Sequence, residues 1–467
     1  MMARRIKSKS WLRVLGAMLY HGKMKTGPKV AAGKAKVGES VPARKIELPP
    51  GVWRRLRSES LEGAMRTLPI WNHCHMLRAG TDSPTFAQRQ WTRFQLFVVL
   101  LAVLGGLGAR GAAEEMTTQD GFAIPQQGRV FAFPRDHGSH PEFRTEWWYL
   151  TGHLDGSDGR RFGFQATFFR QASRLTGGAV RQLFLADVAL LDAATGKFIS
   201  QEQLHRDGWD AGASPATLDV RNGNWSLTFA PGDEGAMELA TTVRGDAALT
   251  LRLTPVQPLV VFGEKGVSRK GASPAAASHY LTFPRLAALG VVRVGAASFD
   301  VKGEVWMDHE FSSSSLDADQ VGWDWAGIQL KDGREIMVYR MRLANGTADA
   351  ASSLTWVDEK GALAAYPSAQ FQWQATRRWH SARSGVEYPN HVRITVQDPQ
   401  EHRERSLELR PVVEDQELRG TLSGLPYWEG ACDVLDEQGQ LIGRAYLELA
   451  GYAGDLRRHL GGKGASE

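Results

Sequence analysis

The segment HPEFRTEWWYLTGHL, residues 140–154, is the stretch of this sequence that most restricts the fold. It places Glu146 directly before two tryptophans and a tyrosine. Successive side chains of a strand point to opposite faces, so Glu146 and Trp148 share one face. Trp147 and Tyr149 share the other. Such an aromatic run with a single acid is typical of a wall around an apolar ligand, and it suits proton chemistry.

Similar combinations of aromatic and acidic residues recur along the chain, in SHYLTFPRL from Ser278, GEVWMDHEFSSSSL from Gly303, GWDW from Gly322, YWEG from Tyr427 and GRAYLELAGY from Gly443. In this order the blocks resemble the carotenoid 1,2-hydratase (hydroxyneurosporene synthase) family and its branch of predicted secreted hydrolases, which includes AttH-like proteins. The resemblance covers roughly residues 131–452. It implies two lipocalin-like antiparallel β-barrel domains packed side by side.

The pattern after residue 115 independently indicates an all-β fold. Segments such as FGFQATFFRQ from Phe162 and EIMVYRMRL from Glu335 alternate apolar with mixed residues, and turn sequences such as DGSDG and KDG separate them. Short strands with such turns favour antiparallel barrels or sandwiches. Long amphipathic helical patterns are nearly absent. We place the boundary near Ser312, which predicts one domain over residues 114–312 and a second over residues 313–460.

The charge of the chain is unevenly distributed. The whole sequence has 56 Lys and Arg against 51 Asp and Glu. About 20 of the basic residues and about 5 of the acidic residues precede residue 114, so the remaining body carries a net charge of about −10. Because phosphate backbones are bound through clustered Lys and Arg, an acidic body argues against nucleic acid as a partner.

The segment FQLFVVLLAVLGGLGARGAA, residues 94–113, has the pattern of a secretory signal peptide. An apolar core of about 14 residues follows Arg89 and Arg93 and ends in small residues suited to cleavage near Ala113. A membrane-spanning helix, the alternative, needs about 20 apolar residues. We therefore predict a secreted or periplasmic protein.

Residues 1–93 are basic, interrupted by Gly and Pro, and lack steady periodicity. We interpret them as a disordered extension or as the product of a mis-assigned gene start, with Met76 the best candidate for the true start. Cys74 precedes the signal and Cys432 follows it, so we expect no internal disulfide in the mature protein.

The block WMDHEF carries the strongest candidate for chemistry. As a strand it directs Trp306, Asp308 and Glu310 to one face. Two carboxyls beside an indole in an apolar cavity repel each other and are poorly solvated, and both effects raise a carboxyl pKa. A proton donor near neutral pH would result. The alternative is that these acids form ion pairs with arginines such as Arg285 or Arg340 and hold the domain junction.

The resemblance implies catalytic roles for three acids, with Asp308 as proton donor and Glu310 or Glu146 directing water. Residues that could contact the substrate carry rings, and they are His140, Trp147, Trp148, Tyr149, Tyr280, Trp306, Trp323, Trp325, Tyr427 and Trp428. The resemblance also implies that four tryptophans shield a carbocation, namely Trp148, Trp306, Trp323 and Trp325. The alternatives are that each tryptophan fills a barrel core, that Glu146 is a satisfied buried acid, and that His140 is a hydrogen-bonding group in a loop at the barrel mouth.

The sequence predicts neither a metal site nor a cofactor. Asp136, His137, His140 and the triple at residues 308–310 contain ligand types, but neighbours on a strand face opposite ways. No Cys pair or His-x-x-x-His spacing occurs. A G-x-S-x-G motif is also absent, and the serines at residues 312–315 are interpreted as a linker, so serine hydrolase chemistry is not indicated.

Two functions remain open at this point. The first is an enzyme that hydrates or isomerises a carbon–carbon double bond of a hydrophobic isoprenoid- or lipid-like molecule with acid assistance. Acid donation and cation stabilisation suffice for this, so no cofactor is expected. The second is a non-catalytic carrier or accessory protein of an ABC-type permease. In both cases we expect a monomer whose partner is a hydrophobic small molecule.

We predict that limited proteolysis of the full chain trims residues 1–90 rapidly and leaves a stable core that begins near residue 115. The reason is the excess of basic over acidic residues and the scarcity of periodic apolar runs. N-terminal sequencing of the resistant fragment checks this. A resistant fragment that begins before residue 60 would contradict it.

Overall fold

The computed structural model describes residues 116–175, 177–314, 316–422 and 424–456. The basic extension and the signal peptide predicted at residues 1–93 and 94–113 lie outside this described part. Within it the chain forms 23 strands and two single turns of 3-10 helix, at Arg135–His137 and Ser368–Gln370. None of the helices in these ranges is long and apolar enough to cross a membrane.

Thirteen strands form the first sheet, and every pair of neighbours is antiparallel. They are β1 Thr145–Gly156, β2 Arg161–Arg174, β3 Val180–Asp192, β4 Lys197–Arg206, β5 Ala211–Ala213, β6 Asp219–Asn222, β7 Trp225–Ala230, β8 Asp233–Val243, β9 Ala247–Pro255, β10 Val260–Phe262, β11 Ser268–Arg269, β12 Ala277–Val294 and β13 Ala297–Ser314. The order is β4-β3-β2-β1-β13-β12-β9-β8-β7-β6-β5, and the short strands β10 and β11 pair with β12.

Ten strands form the second sheet, again with antiparallel neighbours. They are β14 Gln320–Leu330, β15 Glu335–Leu343, β16 Ser353–Val357, β17 Leu363–Pro367, β18 Phe371–His380, β19 Glu387–Asp398, β20 Arg403–Pro411, β21 Glu417–Leu418, β22 Tyr427–Leu435 and β23 Leu441–Ala450. The order is β17-β16-β15-β14-β23-β22-β20-β19-β18, with β21 on β22. The prediction of an all-β fold with two lipocalin-like antiparallel barrels is confirmed, since the two antiparallel sheets curl into a barrel and a half-barrel.

The apolar residues form separate cores because side chains alternate along each strand. One face of the first sheet curls around a core that includes Trp148, Trp225 and Val305. The second sheet encloses its own core around Trp356 and Trp428. Both interiors are thus filled by side chains.

A third group of buried residues takes members from both sheets, and we call it the junction cluster. It is rich in aromatic rings and comprises Tyr149, Leu191, Val260, Phe262, Tyr280, Trp306, Trp325, Met337, Tyr339, Met341, Val357, Ala431 and Tyr446, with Trp147, Phe198 and Trp323 packed against it. Ion pairs between the sheets flank it. Arg161 Nη2 lies 2.7 Å from Asp433 Oδ1, and Arg444 Nη1 lies 2.8 Å from Asp155 Oδ2.

We predict that Gly163→Ala destabilises the contact between the sheets. A Cβ at Gly163 would lie 2.8 Å from that of Ala431, which is closer than two carbons pack, so one sheet must shift. Overpacking of this kind costs about 1–3 kcal/mol. Urea unfolding should show this loss, and Ala431→Gly in the same chain should restore most of it. Gly212→Ala is the control, because its Cβ would meet only Asp207 Oδ1, at 3.7 Å. An additive double mutant would contradict the proposed contact.

Candidate functional site

Asp308 lies on β13 and points from the first sheet into the junction cluster. Its carboxyl is 2% exposed and accepts hydrogen bonds only from neutral groups within the described chain. Thr282 Oγ1 and the Trp306 indole donate to Oδ1 at 2.5 and 2.8 Å, and Tyr280 Oη donates to Oδ2 at 2.7 Å. The Trp325 indole in turn donates to Tyr280 Oη at 3.1 Å. Side chains from both sheets therefore fix one buried acid.

Burial raises the pKa of Asp308 to about 7, although the hydrogen bonds from Thr282, Tyr280 and Trp306 oppose the shift. Repulsion by Glu310 adds to the effect of burial. A carboxyl with such a pKa is partly protonated at neutral pH and can donate a proton there.

Glu310 occupies the same face of β13, two residues further along. It differs from Asp308 because Lys270 Nζ lies 3.3 Å from its Oε2. Burial raises the pKa of Glu310, while the charge of Lys270 opposes the shift. The ammonium also sits over the rings of Tyr280 and Tyr339, at 4.4 and 3.9 Å from their centroids. Two neighbouring acids therefore have different surroundings, one neutral and one cationic.

A second pair of acids faces the junction from the other sheet. Glu429 on β22 and Glu448 on β23 are directly opposite each other in the ladder. Tyr149 Oη donates to Glu429 Oε1 at 2.6 Å, which joins the two sheets. Burial raises the pKa of both, to about 7 for Glu448, and repulsion from Glu448 raises that of Glu429 further. Asp308 and Glu310 are among the charges that raise the pKa of Glu448, so all four acids share one region.

Aromatic rings surround these acids. Trp325 contacts Trp306 and Tyr149 edge to face, with centroids 6.0 and 5.2 Å apart. The negative faces of such rings stabilise a nearby cation by about 0.5–2 kcal/mol each. The arrangement combines a proton donor, ionisable acceptors and an aromatic enclosure.

Glu146 lies on the opposite face of β1, away from the junction, and is fully engaged. Ser139 Oγ donates to it at 2.8 Å and Arg170 Nε at 2.9 Å. His140 Nδ1 lies 2.7 Å away, and His309 Nε2 3.0 Å away. The pKa of Glu146 is well below its usual range because these bonds and the charge of Arg170 outweigh the effect of burial. This matches the alternative of a satisfied buried acid.

His140, Glu146 and His309 bring ligand-type atoms within 4.8 Å of one another. Their other contacts argue against a metal ion. Both ring nitrogens of His140 face carboxylates, since Nε2 lies 2.9 Å from Asp136 Oδ1. The guanidinium of Arg170 already occupies the cationic position beside Glu146. This donor set suits an internal ion-pair network better than a cation site.

The structure brings together some of the ring-bearing residues that were predicted to contact the substrate. The members at the junction are Trp147, Tyr149, Tyr280, Trp306, Trp323 and Trp325, while Tyr427 hydrogen-bonds to Glu429 nearby. Three members lie elsewhere. Trp148 fills the first core and Trp428 the second, and His140 is buried in a loop beside Glu146.

The alternative in which Arg285 or Arg340 pairs with Asp308 or Glu310 is not what the structure shows. Arg285 Nε lies 2.7 Å from Glu335 Oε1, because Arg285 falls in an irregular stretch of β12 beyond the partner of Asp308. Arg340 pairs with Asp324, its ladder partner, at 2.9 Å.

Lys270, Thr282 and Glu448 were not identified as candidate site residues from the sequence. Glu448 stands in the block GRAYLELAGY, and strand alternation would have assigned its face. The sequence does not show which faces of two sheets meet, so the convergence of these residues could not be derived.

This protein is therefore all-β, with two curled antiparallel sheets that meet at an aromatic junction containing buried acids. The chain belongs to the AttH-like family, which matches residues 124–452, and the resemblance seen in the sequence blocks is confirmed. The crystal structure of a protein described as an AttH from Nitrosomonas europaea is similar to this chain, with a TM-score of 0.64 and 34% sequence identity. The match covers 71% of this chain and 100% of that one. No curated protein matches the sequence.

Kievitone hydratase from Nectria haematococca is also similar, with 14% identity and a TM-score of 0.53 over 73% of this chain and 96% of that chain. This second likeness shows that the two proteins share a fold.

We predict that Asp308→Asn becomes more stable relative to the wild type as pH rises. The folded-state pKa of Asp308 is about 7, above the unfolded value of 3.8, so the folded protein retains a proton that the unfolded chain releases. Wild-type stability therefore falls between about pH 4 and pH 7 by up to about 4 kcal/mol through this group, and the variant escapes that loss.

Urea unfolding at pH 4.5 and pH 8.5 measures the difference. Asp300→Asn serves as the control, because Asp300 is exposed on the same strand. A stability difference between Asp308→Asn and wild type that does not change with pH would contradict the assignment.

Proposed function

We propose that this protein is a hydratase-like enzyme in which Asp308 protonates a carbon–carbon double bond of a hydrophobic, isoprenoid- or lipid-like molecule. One observation carries the proposal. Asp308 is a buried acid with a pKa of about 7, held by neutral donors and enclosed by indole rings at the junction of the sheets.

The chemistry follows from these surroundings. The O–H bond of protonated Asp308 breaks as a C–H bond forms, which leaves a carbocation on the substrate. Trp306 and Trp325 present rings that stabilise this charge. Water then adds to the cation, and its proton passes to a carboxylate. Of the acids considered from the sequence, Glu310 faces the junction and is the candidate for this role, because Lys270 favours its ionised form.

The family relationship supports this assignment. A hydratase, the kievitone enzyme, has the same fold. The present arrangement also separates an acid without a cationic partner from an acid beside a lysine, which is how two carboxyls acquire different roles. Loss of a proton from the cation without addition of water would give isomerisation at the same site.

Substrate access requires movement at the junction. Asp308 and Trp306 are each 2% exposed, so the molecule must enter as the sheets separate locally or as a lining side chain turns. We propose that entry occurs between the sheets, because side chains fill both barrel interiors. We also propose that the protein works in the periplasm or outside the cell, on the basis of the signal-like segment at residues 94–113.

A carrier or permease accessory protein is the second candidate, and one observation favours it. The acids at the junction already have hydrogen-bond partners in this structure, and an aromatic enclosure binds apolar ligands without any chemistry. In this case the acids would serve recognition or stability only.

We predict that Asp308→Asn lowers turnover of an acyclic isoprenoid precursor at least about a hundredfold, because the amide keeps the shape but cannot donate the proton. In the wild type, kcat/KM should fall as pH rises above about 7, where Asp308 loses its proton. Asp300→Asn should behave as wild type. Product formation is followed by chromatography, and circular dichroism confirms folding.

Tryptophan fluorescence separates the two candidate functions. Saturable quenching by the same precursor with no turnover, in a folded wild type, would favour the carrier. Unchanged turnover in Asp308→Asn would exclude Asp308 as the acid. The absence of both binding and turnover with isoprenoids, carotenoid precursors and fatty acids would reject both candidates.

A further inference from the structure

A groove with basic walls lies where strand β4 and the β8–β9 hairpin of the first sheet approach the second sheet. It consists of two adjoining depressions of about 110 and 190 Å³. Ser200, Arg244 and Arg419 line both of them. Lys197 and Arg383 complete the basic lining on the side of the larger depression.

The groove carries more basic than acidic side chains, although Glu202 lines the smaller depression and Asp246 the larger. Arg383 forms a pair with Asp415, at 2.9 Å. Across the described ranges, no carboxylate lies within 4.0 Å of the side-chain nitrogens of Lys197, Arg244 or Arg419. The rest of this body is net acidic, so three exposed cations facing one cavity stand out from their surroundings.

Arg244 occupies a position that its residue type disfavours. It is a central residue of the turn between β8 and β9, closed by a hydrogen bond from Asp246 N to Val243 O. Its φ of 51° lies in the left-handed region, where asparagine and glycine are preferred and other residues are strained. Strained residues of this kind cluster at binding and active sites, although Lys265 and His402 adopt the same conformation.

The strand beneath the turn holds Arg244 in place. Its Nε donates to Ser200 O at 2.9 Å, and its backbone N–H donates to Gln201 Oε1 at 2.5 Å. The two terminal nitrogens remain for a ligand, since no hydrogen bond or ion pair within the described ranges uses them. A guanidinium fixed at one nitrogen and open at two is suited to bind an oxyanion in a bidentate manner.

The groove adjoins the candidate site. Phe198 lines the larger depression and also packs against the junction cluster. Glu202 lines the smaller one and lies opposite Asp187 in the ladder. The row of ladder partners continues from Asp187 through Thr167 and Tyr149 to Asp308. Five adjacent strands therefore place Phe198 and Glu202, at one side of the groove, on the same face of the first sheet as Asp308.

We propose that this groove binds the anionic head group, a phosphate or a carboxylate, of an amphiphilic ligand. Arg244, Arg419 and Lys197 contact the oxyanion, and the apolar tail passes Phe198 toward the junction. The substrate class is thereby narrowed from hydrophobic molecules in general to isoprenoid- or lipid-like molecules with one acidic end. This inference rests on the proposed function for the destination of the tail, whereas the head-group site stands on the groove alone.

The test measures binding without turnover. Farnesyl phosphate, farnesoic acid, farnesol and inorganic phosphate are titrated against the full chain by calorimetry and tryptophan fluorescence. The two acids should bind more tightly than farnesol by about tenfold or more, and added salt should weaken this preference. Inorganic phosphate should compete with both acids. Relative affinities of farnesyl phosphate and farnesoic acid identify which anion the groove prefers.

Arg244→Asn and Arg419→Gln should remove the preference for the acids and leave farnesol binding within about twofold. Asparagine adopts the left-handed turn readily, so Arg244→Asn should melt at the same temperature as wild type or higher. Arg378→Gln is the matched control, because Arg378 is exposed on β18 outside the groove. Retention of the preference in both groove variants would overturn the proposal, as would equal binding of farnesol and farnesyl phosphate by the wild type.

Asp308→Asn separates this inference from the proposed function. It should bind farnesyl phosphate as tightly as wild type while turnover is lost. If Asp308→Asn retains turnover and the groove variants lose the preference, the acid assignment fails and the head-group site stands. If inorganic phosphate binds but the tail adds no affinity, the amphiphile assignment is overturned.

Discussion

The alternation of side chains along the paired strands β1 and β13 is the constraint on which the rest of this structure depends. In their ladder Tyr149 faces Asp308, while Trp148 faces His309 on the reverse side. One set points to the junction and the other into the first core. A register shift of one residue in β13 would bury Asp308 among aliphatic side chains and expose Val305 to the acids. Core packing and site chemistry therefore fix the same register.

The two faces stabilise their buried acids in opposite ways. Glu146 remains ionised, because Arg170 and several hydrogen bonds replace the water it has lost. Asp308 has neutral donors only, so protonation relieves the cost of its burial. Breaking the first arrangement would leave an unpaired buried charge, which is strongly destabilising. The junction acids instead keep a proton that can be moved, and this difference makes that face the reactive candidate.

The sequence predicted the fold class and the strand faces of the residues in the EWWY and WMDHEF blocks, because strand alternation and turn chemistry are local properties. It correctly placed Trp306, Asp308 and Glu310 together. It could not indicate that Glu448, about 140 residues later, faces the same region, since this depends on how the second sheet packs against the first. Lys270 lies outside the aromatic blocks, in a short segment that carries no periodic signal. The ring-bearing residues predicted to contact the substrate lie in different places for the same reason. Trp148 and Trp428 fill two interiors whose positions only the assembled sheets define.

Each sheet joins its first strand to its last, and this order has a consequence for synthesis. β1 pairs with β13, and β14 pairs with β23, so neither ladder can be completed until more than a hundred further residues have left the ribosome. Contacts so distant in sequence make loop closure slow. Until then β1 presents Trp147, Trp148 and Tyr149 on an unpaired edge, which is a surface that invites aggregation. A nascent chain of this protein therefore exposes an aromatic edge until β13 has been synthesised, and the face that bears Asp308 cannot form before then.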